Sequence, residues 1–399
     1  MKLFKKMTAL LSFPGFHRGS YKESGKDILF IIFIGLITLI VFLTPTGFED
    51  SGVQSNAVRS RVRITHVDNT LVRTIGIIKY GDQNLEVQIL SGDFRGDIYP
   101  TTNHLTGRME MDKIFVEGED ALAVLTLDDD GTISMIRIID HYRTDKTIIL
   151  VSLFIVFTIF LMGWMALKIL LTFAFSAVML IKVLYPLALR GFNPIVTAVI
   201  ITTIISAVIL LLVGGLTRRG FSAFLGTVSG ILFTAILSYI VTHWFKIHGV
   251  VRPFTEMLMH TGYGHLNLTQ LFMSGIFIAA SGAMMDLSMS IAAAMDEIKE
   301  QQPAISRLQL MKSGYIVARQ SVGTMSTTLL LAYSAEYTAM IMVFIAQGIP
   351  FENIINMVWV SSEIVHTLVG CFGLTLVAPF TVIASGILLK KSDHGNNDS

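Results

Sequence analysis

The chain has 399 residues, of which 52% are hydrophobic and 15% are charged, and its formal net charge is +1. Soluble globular proteins carry about 25% charged residues, so this composition excludes an ordinary soluble domain and indicates several membrane-spanning helices. The balanced charge offers no basic surface for a nucleic acid. Cys371 is the single cysteine, which excludes an intramolecular disulfide and a metal site built from several cysteines.

The first apolar run follows a basic segment. Residues 1–26 carry six Lys or Arg side chains, and the apolar run from Ile28 to Leu43 comes next. Because no small-x-small cleavage site follows the run, we predict an uncleaved transmembrane helix over 27–45 rather than a signal peptide.

Residues 46–146 are polar and predict a small β-rich domain. Short runs rich in β-branched residues, separated by turn signals, cover 60–67, 71–79, 85–90, 121–127 and 133–139. Strands of this number and length are typical of a small barrel of the OB or SH3 type. The run Asp128-Asp129-Asp130-Gly131 lacks the spaced carboxylates of an EF-hand loop, so we interpret it as a hairpin turn and not as a calcium site.

Beyond Lys146 the chain predicts a membrane domain over 147–389, followed by a short tail over 390–399. A membrane-spanning helix needs about 20 apolar residues. The predicted spans are 147–164, 169–188, 194–216, 220–245, 270–295, 317–334 and 357–389, which make eight with the first helix. The stretch 335–356 either extends the seventh span or lies along the membrane surface.

Basic residues predict the orientation. They are concentrated in residues 1–26 and in alternate loops and helix ends, namely Lys168, Arg218, Arg219, Lys299, Arg307, Lys312, Arg319, Lys390 and Lys391. The opposite short loops carry only Arg190, Lys246 and Arg252. Since cytoplasmic loops are the richer in Lys and Arg, we predict a multi-pass protein of the cell membrane with both termini cytoplasmic and residues 46–146 extracytoplasmic.

Asp286 stands deep within the predicted span 270–295. A carboxylate at that depth is costly and suggests a function by default. Helical spacing places it on one stripe with Gly275, Ala279, Gly282, Ser290 and Ala293. The next span presents a hydroxyl-rich face at similar depth, with Arg319, Gln320, Thr324, Thr327 and Thr328. We predict a Ser/Thr-lined crevice around one acid; the alternative is a packing seam in which the acid serves assembly alone.

Glu363 and His366 lie one helical turn apart in the last span. The pair could relay protons, contribute to a metal site or pair locally. Neither an HExxH motif nor further ligands at zinc spacing are present, and no nucleophile stands beside a base, so we predict no metal, no cofactor and no enzyme activity. Small residues that predict close helix contacts are Gly226, Gly230, Gly275, Gly282 and Gly323.

Four blocks resemble the YibE/F-like family of bacterial membrane proteins. They are Ser222-Ala223-Phe224-Leu225-Gly226-Thr227, Gly282-Ala283-Met284-Met285-Asp286 with 288–291, Gly323-Thr324-Met325 leading to Leu329-Leu330-Leu331-Ala332-Tyr333, and Glu363-Ile364-Val365 with Thr367-Leu368-Val369-Gly370. The resemblance implies an N-terminal anchor, an external domain, a permease-like region and a related membrane partner. We therefore predict the lipid bilayer as the surroundings, and either such a partner or a homo-oligomer.

Two positions depart from the family pattern. The family has an Arg-Asp pair before its Gly-Thr-Met block, where this chain has Arg319-Gln320, and an Arg after the Glu of the last span, where this chain has His366. If those charges form a relay, the relay is altered here. A weaker likeness, over 220–389, is to half of a SecD/SecF or resistance-nodulation-division transporter, whose membrane acids take part in proton coupling; it is an analogy only.

Two functional hypotheses follow from the sequence. The first is a multi-pass transporter or export accessory in which Asp286 binds and releases a proton or cation. Its coupling site comprises Asp286, Arg319, Gln320, Thr324, Thr327, Glu363 and His366. The second is a non-transporting membrane scaffold whose β-domain binds envelope proteins and whose Asp286 serves assembly.

Overall fold

The computed structural model describes residues 25–48 and 56–389. The predicted basic segment, apart from its last two residues, and the tail 390–399 therefore lie outside the described residues. The chain divides into two compact units, one over Pro45–Ala166 and one made of Met1–Thr44 with Leu167–Ser399.

Five antiparallel strands form a sheet in the first unit, in the order β3-β2-β1-β4-β5. Their bounds are β1 Ala57–Ile75, β2 Ile78–Ile89, β3 Ile98–Thr106, β4 Asp120–Leu127 and β5 Ile133–His141. The two edge strands approach each other, and Thr101 Oγ1 in β3 donates a hydrogen bond to Ile136 O in β5 at 2.7 Å. The sheet is therefore a nearly closed barrel around an apolar core that includes Val62, Ile64 and Val87, which confirms the predicted barrel class.

The strand boundaries differ from the prediction in two places. The first hairpin turns at Gly76 (φ 62°) and not at Gly81. Gly81 lies inside β2 at φ 109°, where a Cβ would overlap the carbonyl oxygen of Leu71, so this glycine marks an irregularity in the strand and not its end. The sequence does not predict β3 because Thr101 to His104 are polar and break the apolar alternation. Residues 128–132 form the predicted hairpin turn between β4 and β5.

Ten helices, given in chain order, make up the rest of the described structure. They are α1 Gly25–Leu43, α2 Thr144–Met162, α3 Met165–Leu189, α4 Pro194–Val213, α5 Arg218–Trp244, α6 Leu268–Gln301, α7 Arg307–Glu336, α8 Thr338–Ala346, α9 Phe351–Asn356 and α10 Val358–Leu388. Two short helical turns, Thr255–Leu258 and Met259–Tyr263, lie between α5 and α6. Within α3, Met179–Leu184 forms a π-helical turn.

Six of the described helices are long and apolar enough to cross a membrane, namely α2 to α6 and α10. The count is seven if α7 and α8, which meet at a bend of 64°, form one broken span. The apolar part of α1, Asp27–Leu43, is shorter. Six of the eight predicted spans therefore match candidate spans and a seventh matches the bent pair of α7 and α8, while the predicted span 27–45 corresponds to the shorter apolar helix α1. Helices α8 and α9 cover most of the stretch 335–356.

An ion-pair network joins the barrel to the start of α2 within the first unit. Asp120 lies between two arginines of β1, with Arg61 Nη2 at 2.5 Å and Arg63 Nε at 2.8 Å from its carboxylate oxygens. Arg61 also pairs with Asp145, in the first turn of α2, at 2.7 Å. The hydrogen bond from Arg63 is the largest cause of a lowered pKa of Asp120, and Arg61 adds to it against the opposing effect of burial.

We expect Asp120→Asn to destabilise the barrel at neutral pH. Because the folded-state pKa of Asp120 is lowered, the carboxylate contributes stability above the unfolded-state pKa of about 3.9, and this contribution is lost as pH falls through the folded-state pKa. Amide hydrogen exchange of β1 and β4 in the full-length protein measures the effect. The variant should exchange faster than wild type at pH 7, and the difference should shrink in acid. Equal exchange at pH 7 would contradict the prediction.

The core of the second unit lies where α10 packs against α5, α6 and α7. Small side chains set the distance between α5 and α10, since a Cβ at Gly226 would overlap Thr381 and a Cβ at Gly373 would overlap Thr234. A buried hydrogen bond of 2.6 Å between Thr227 Oγ1 and Ser288 Oγ joins α5 to α6. Close backbone approach of this kind is how helices associate in lipid, where apolar exclusion gives no driving force.

Candidate functional site

Arg252, in the loop between α5 and α6, contacts ionisable side chains from two other parts of the helical unit. Its Nη1 donates a hydrogen bond to the Tyr337 hydroxyl and lies 3.3 Å from Glu336 Oε2. Its Nη2 lies 3.3 Å from Glu363 Oε2 and 2.6 Å from His366 Nδ1. One guanidinium group therefore connects the break between α7 and α8 to the second and third turns of α10.

Local structure holds Arg252 in this position. Its carbonyl oxygen accepts a hydrogen bond from Thr255 Oγ1 at 2.6 Å. Phe254, in the same turn, adopts φ 62°, a left-handed conformation that is unfavourable for a bulky residue and persists only where surrounding contacts determine it. The preceding part of the loop is anchored in an apolar cluster formed by Ile247, Val251, Phe272, Ile276, Val365 and Val369.

Glu363 is an acid buried in the helical unit. The residue is 9% exposed, and neither carboxylate oxygen accepts a hydrogen bond of normal geometry from the described residues. Its ion pair with Arg252 is close in distance but is not aligned as a hydrogen bond. A buried carboxylate without hydrogen bonds is costly as an ion, which makes the nearby guanidinium of Arg252 its main compensation.

The short contact between Arg252 and His366 assigns the imidazole tautomer. An arginine N–H can only donate, so Nδ1 of His366 must accept and Nε2 must carry the hydrogen. A proton on Nδ1 would place two donors against each other and break the contact. The arrangement therefore requires neutral His366 as long as Arg252 stays in place.

Tyr333 closes the other side of this cluster. Its ring stacks on the His366 ring, with centroids 4.4 Å apart and planes 24° apart. Gly370 lies beside the tyrosine, and a Cβ there would be in ordinary van der Waals contact with the ring, at 3.7 Å. Tyr333 Oη and His366 Nε2, like the carboxylate of Glu363, are buried without a hydrogen-bond partner in the described residues. The cluster thus holds unused donors and acceptors side by side, as a site for a proton, a water molecule or a small ion does.

The charges of the cluster do not balance when both acids are ionised. Arg252 supplies one positive charge, Glu336 and Glu363 supply two negative charges, and His366 adds none in the tautomer that its contact with Arg252 requires. The Glu336 side chain is 56% exposed, whereas that of Glu363 is 11% exposed. Solvent stabilises the charge on Glu336 but not that on Glu363, so Glu363 is the acid whose charge this site has to neutralise.

The other predicted coupling residues lie apart from this cluster. Asp286 is exposed near the middle of α6, and Arg319, Gln320, Thr324 and Thr327 are exposed on α7. The Thr324 and Thr327 hydroxyls donate to backbone carbonyls of α7, at 3.0 and 3.1 Å. Within the described residues, no hydrogen bond or ion pair links Asp286 to any of them, so their shared crevice stays a prediction.

Within the described part of the chain, no other segment buries the stripe that contains Asp286. Gly275, Ala279, Gly282 and Ser290 are exposed along with the acid, and Ala293 is half-buried. A Cβ at Gly275, Gly282 or Gly323 would find nothing within 4 Å, unlike one at Gly226 or Gly230, which would overlap α10. Of the glycines predicted to serve helix packing, two therefore lie at a contact within the chain and three do not.

This difference gives a matched pair of substitutions. We expect Gly226→Ala to destabilise the helical unit by about 1–3 kcal/mol, because the added methyl meets the backbone and side chain of Thr381. Gly282→Ala should instead stabilise it by about 0.5–1 kcal/mol, since alanine favours a helix and the position is open. Thermal unfolding in detergent compares the two variants. Equal effects would contradict the assigned packing of α5 on α10.

Helices of this length and apolarity define the chain as a multi-pass membrane protein with a small barrel domain. A family model described as YibE/F-like protein matches residues 150–391, more than half of the chain. The chain belongs to the YibE/F-like family. No curated protein and no solved structure matches it, and the likeness to SecD/SecF or resistance-nodulation-division transporters stays an analogy.

Sequence reasoning identified the pair Glu363 and His366 but missed four residues of the cluster, namely Arg252, Tyr333, Glu336 and Tyr337. Arg252 entered only as a loop charge, Tyr333 only as part of a family block, and Glu336 not at all. The one feature of the sequence that could have drawn attention to Arg252 is that it follows the apolar residues Val250 and Val251 in a polar loop. That signal does not say which acid the arginine contacts.

Proposed function

We propose that this protein is a membrane transporter or export component that is coupled to protons through Glu363. The observation that supports this is the buried carboxylate of Glu363, which accepts no hydrogen bond from the described residues and shares the positive charge of Arg252 with Glu336. Ionisable residues inside membrane domains commonly mark proton and ion pathways.

Arg252 gives the proposed coupling a physical route. When Glu363 binds a proton, its attraction for Arg252 is lost, and the guanidinium keeps Glu336 and Tyr337 as partners at the break between α7 and α8. When the proton leaves, the buried carboxylate attracts Arg252 again. Proton binding at α10 would thereby change how tightly the loop and the bend of α7 and α8 are held to the bundle, which is the kind of two-state element that alternating access needs.

A pH step on reconstituted protein tests this without knowledge of the substrate. Proteoliposomes adsorbed on a solid-supported membrane report charge movement as a transient current. We expect wild type and Glu352→Gln to give a transient on acidification, and Glu363→Gln to give none. Glu352 is a matched control because it is an exposed acid at the start of α9. A full transient from Glu363→Gln would reject Glu363 as the proton-binding group.

The uncovered stripe on α6 favours a second candidate, a membrane scaffold that assembles through Asp286. A lone acid on an open small-residue face suits contact with another membrane helix. Asp286→Asn separates the two functions. Loss of assembly on native gels, with the pH-step current retained, supports the scaffold; loss of current with assembly retained places Asp286 in the coupling path instead.

A further inference from the structure

A separate cleft of 420 Å³ lies where α5 ends and α6 begins. It shares no residue with the Arg252 cluster. Its walls are formed by the last turn of α5, the residues that follow it, and the first turns of α6, and none of the residues that line it is Asp or Glu. The side chains that line it include Thr242, His243, Lys246, His248, Thr269 and Gln270.

The cleft presents hydrogen-bond donors and positive charge. Lys246 carries a permanent charge at neutral pH, and its backbone adopts φ 54°, a left-handed conformation that is disfavoured for lysine. Thr269 Oγ1 already accepts a hydrogen bond from Gly249 N at 3.2 Å, so its hydrogen is available to donate. The N-terminus of α6, a helix of 34 residues, adds the positive end of a helix dipole. Its Gln270 amide is already bonded to the side chain of the N-cap residue Asn267 at 3.0 Å.

Thr242 is a second, independent indication that the cleft is a binding site. The residue is fully buried in the cleft wall, at 0% exposure, and its hydroxyl has no hydrogen-bond partner in the described residues. On the same helix, Thr234 Oγ1 instead donates to Gly230 O at 2.7 Å, one turn earlier. Thr202 Oγ1 and Ser385 Oγ are also buried without a partner among the described residues, but they do not line this cleft. A buried hydroxyl left unpaired in the wall of a cationic cleft calls for an acceptor from outside the chain.

The height of the cleft suits a membrane interface. Two candidate spans, α5 and α6, end and begin at this cleft, so it lies near the end of the apolar layer that they cross. Trp244, two residues before Lys246 in the chain, is 77% exposed, and exposed tryptophans are enriched at the level of lipid headgroups.

From these observations we propose that the cleft binds a phosphate group, with Lys246 as the main counter-charge, the Thr242 and Thr269 hydroxyls as donors, and the dipole of α6 as a further attraction. The same chemistry belongs to the headgroup of an anionic phospholipid and to free phosphate. The cleft suits the phosphate group of either ligand, and experiment has to distinguish the two.

Native mass spectrometry of the full-length protein in detergent distinguishes these sources. The probes are phosphatidylglycerol, phosphatidylcholine and inorganic phosphate, each titrated against wild type, Lys246→Ala, Thr242→Val and Lys312→Ala. Lys312 is an exposed lysine on α7 and serves as the matched control. Thermal unfolding of each variant without ligand checks that the fold is retained.

We expect wild type and Lys312→Ala to bind phosphatidylglycerol or inorganic phosphate, and Lys246→Ala to bind about tenfold more weakly or worse, since a hydrogen bond to a charged group is lost. Thr242→Val should weaken binding in the same direction. Tighter binding of phosphatidylglycerol than of inorganic phosphate identifies a lipid site, and the reverse order identifies a site for the free anion. Unchanged binding by folded Lys246→Ala and Thr242→Val would overturn the proposal.

Discussion

Replacing Arg252 by methionine should lower the free energy of unfolding of the helical unit by about 3–5 kcal/mol. Methionine keeps an unbranched stem but removes the guanidinium and its charge, which leaves Glu363 buried at 9% exposure without any counter-charge in the cluster. It also removes the donor to Tyr337 and the donor to His366 Nδ1. An uncompensated buried charge, rather than lost contact area, dominates the expected cost.

A second substitution isolates that cause. Glu363→Gln in the Arg252→Met background should recover most of the lost stability, because a neutral amide needs no counter-charge. Arg307→Met removes an exposed arginine at the start of α7 and should change stability little. Thermal unfolding in detergent, followed by tryptophan fluorescence, gives the double-mutant cycle. Additive losses from Arg252→Met and Glu363→Gln would show that the two side chains do not depend on each other.

Replacing Glu363 by glutamine should abolish the main protonation signal of the helical unit. On acidification, a buried carboxylate that binds a proton gains the C=O stretching band of a carboxylic acid, which infrared difference spectroscopy detects. Glutamine has a similar shape but cannot take up the proton. We therefore expect the wild-type protein to show a band at the position of a weakly hydrogen-bonded acid, because neither oxygen of Glu363 has a partner among the described residues, and the variant to lack it.

Two further variants show which group holds the proton. Glu352→Gln should keep the band, since Glu352 is exposed. His366→Gln should also keep it, because the glutamine carbonyl can still accept from Arg252, but the pH at which the band appears should shift. If the band survives in Glu363→Gln, another carboxyl group holds the proton, and Glu363 acts only as a neighbour of His366 at 3.8 Å.

The sequence predicted the site only in part, for a physical reason. Helical spacing alone places Glu363 and His366 on adjacent turns, because residues three apart on a helix share a face. Arg252 and His366, in contrast, are 114 residues apart in the chain. No local pattern records a contact of that range. The exposure of Asp286 could not be predicted for the same reason. Helical spacing defines the small-residue stripe but does not say which helix packs against it.

The barrel illustrates the same limit at shorter range. Alternating apolar residues correctly indicated β1, β2, β4 and β5, because each buries one face in the core. That pattern did not predict β3, whose residues are largely polar. It is a strand because its backbone pairs with β2 and because Thr101 closes the barrel against β5.

The sequence by itself determined that this chain is a multi-pass membrane protein with a small β-barrel, because apolarity and periodicity are summed over neighbouring residues. It also determined that Glu363 and His366 share a helix face. Only the tertiary structure shows that Arg252 pairs with both Glu363 and Glu336. It also shows that α10 packs against Gly226, whereas nothing in the described chain packs against Gly282. Those outcomes depend on how distant helices pack, and packing follows from the shapes and charges of several segments at once.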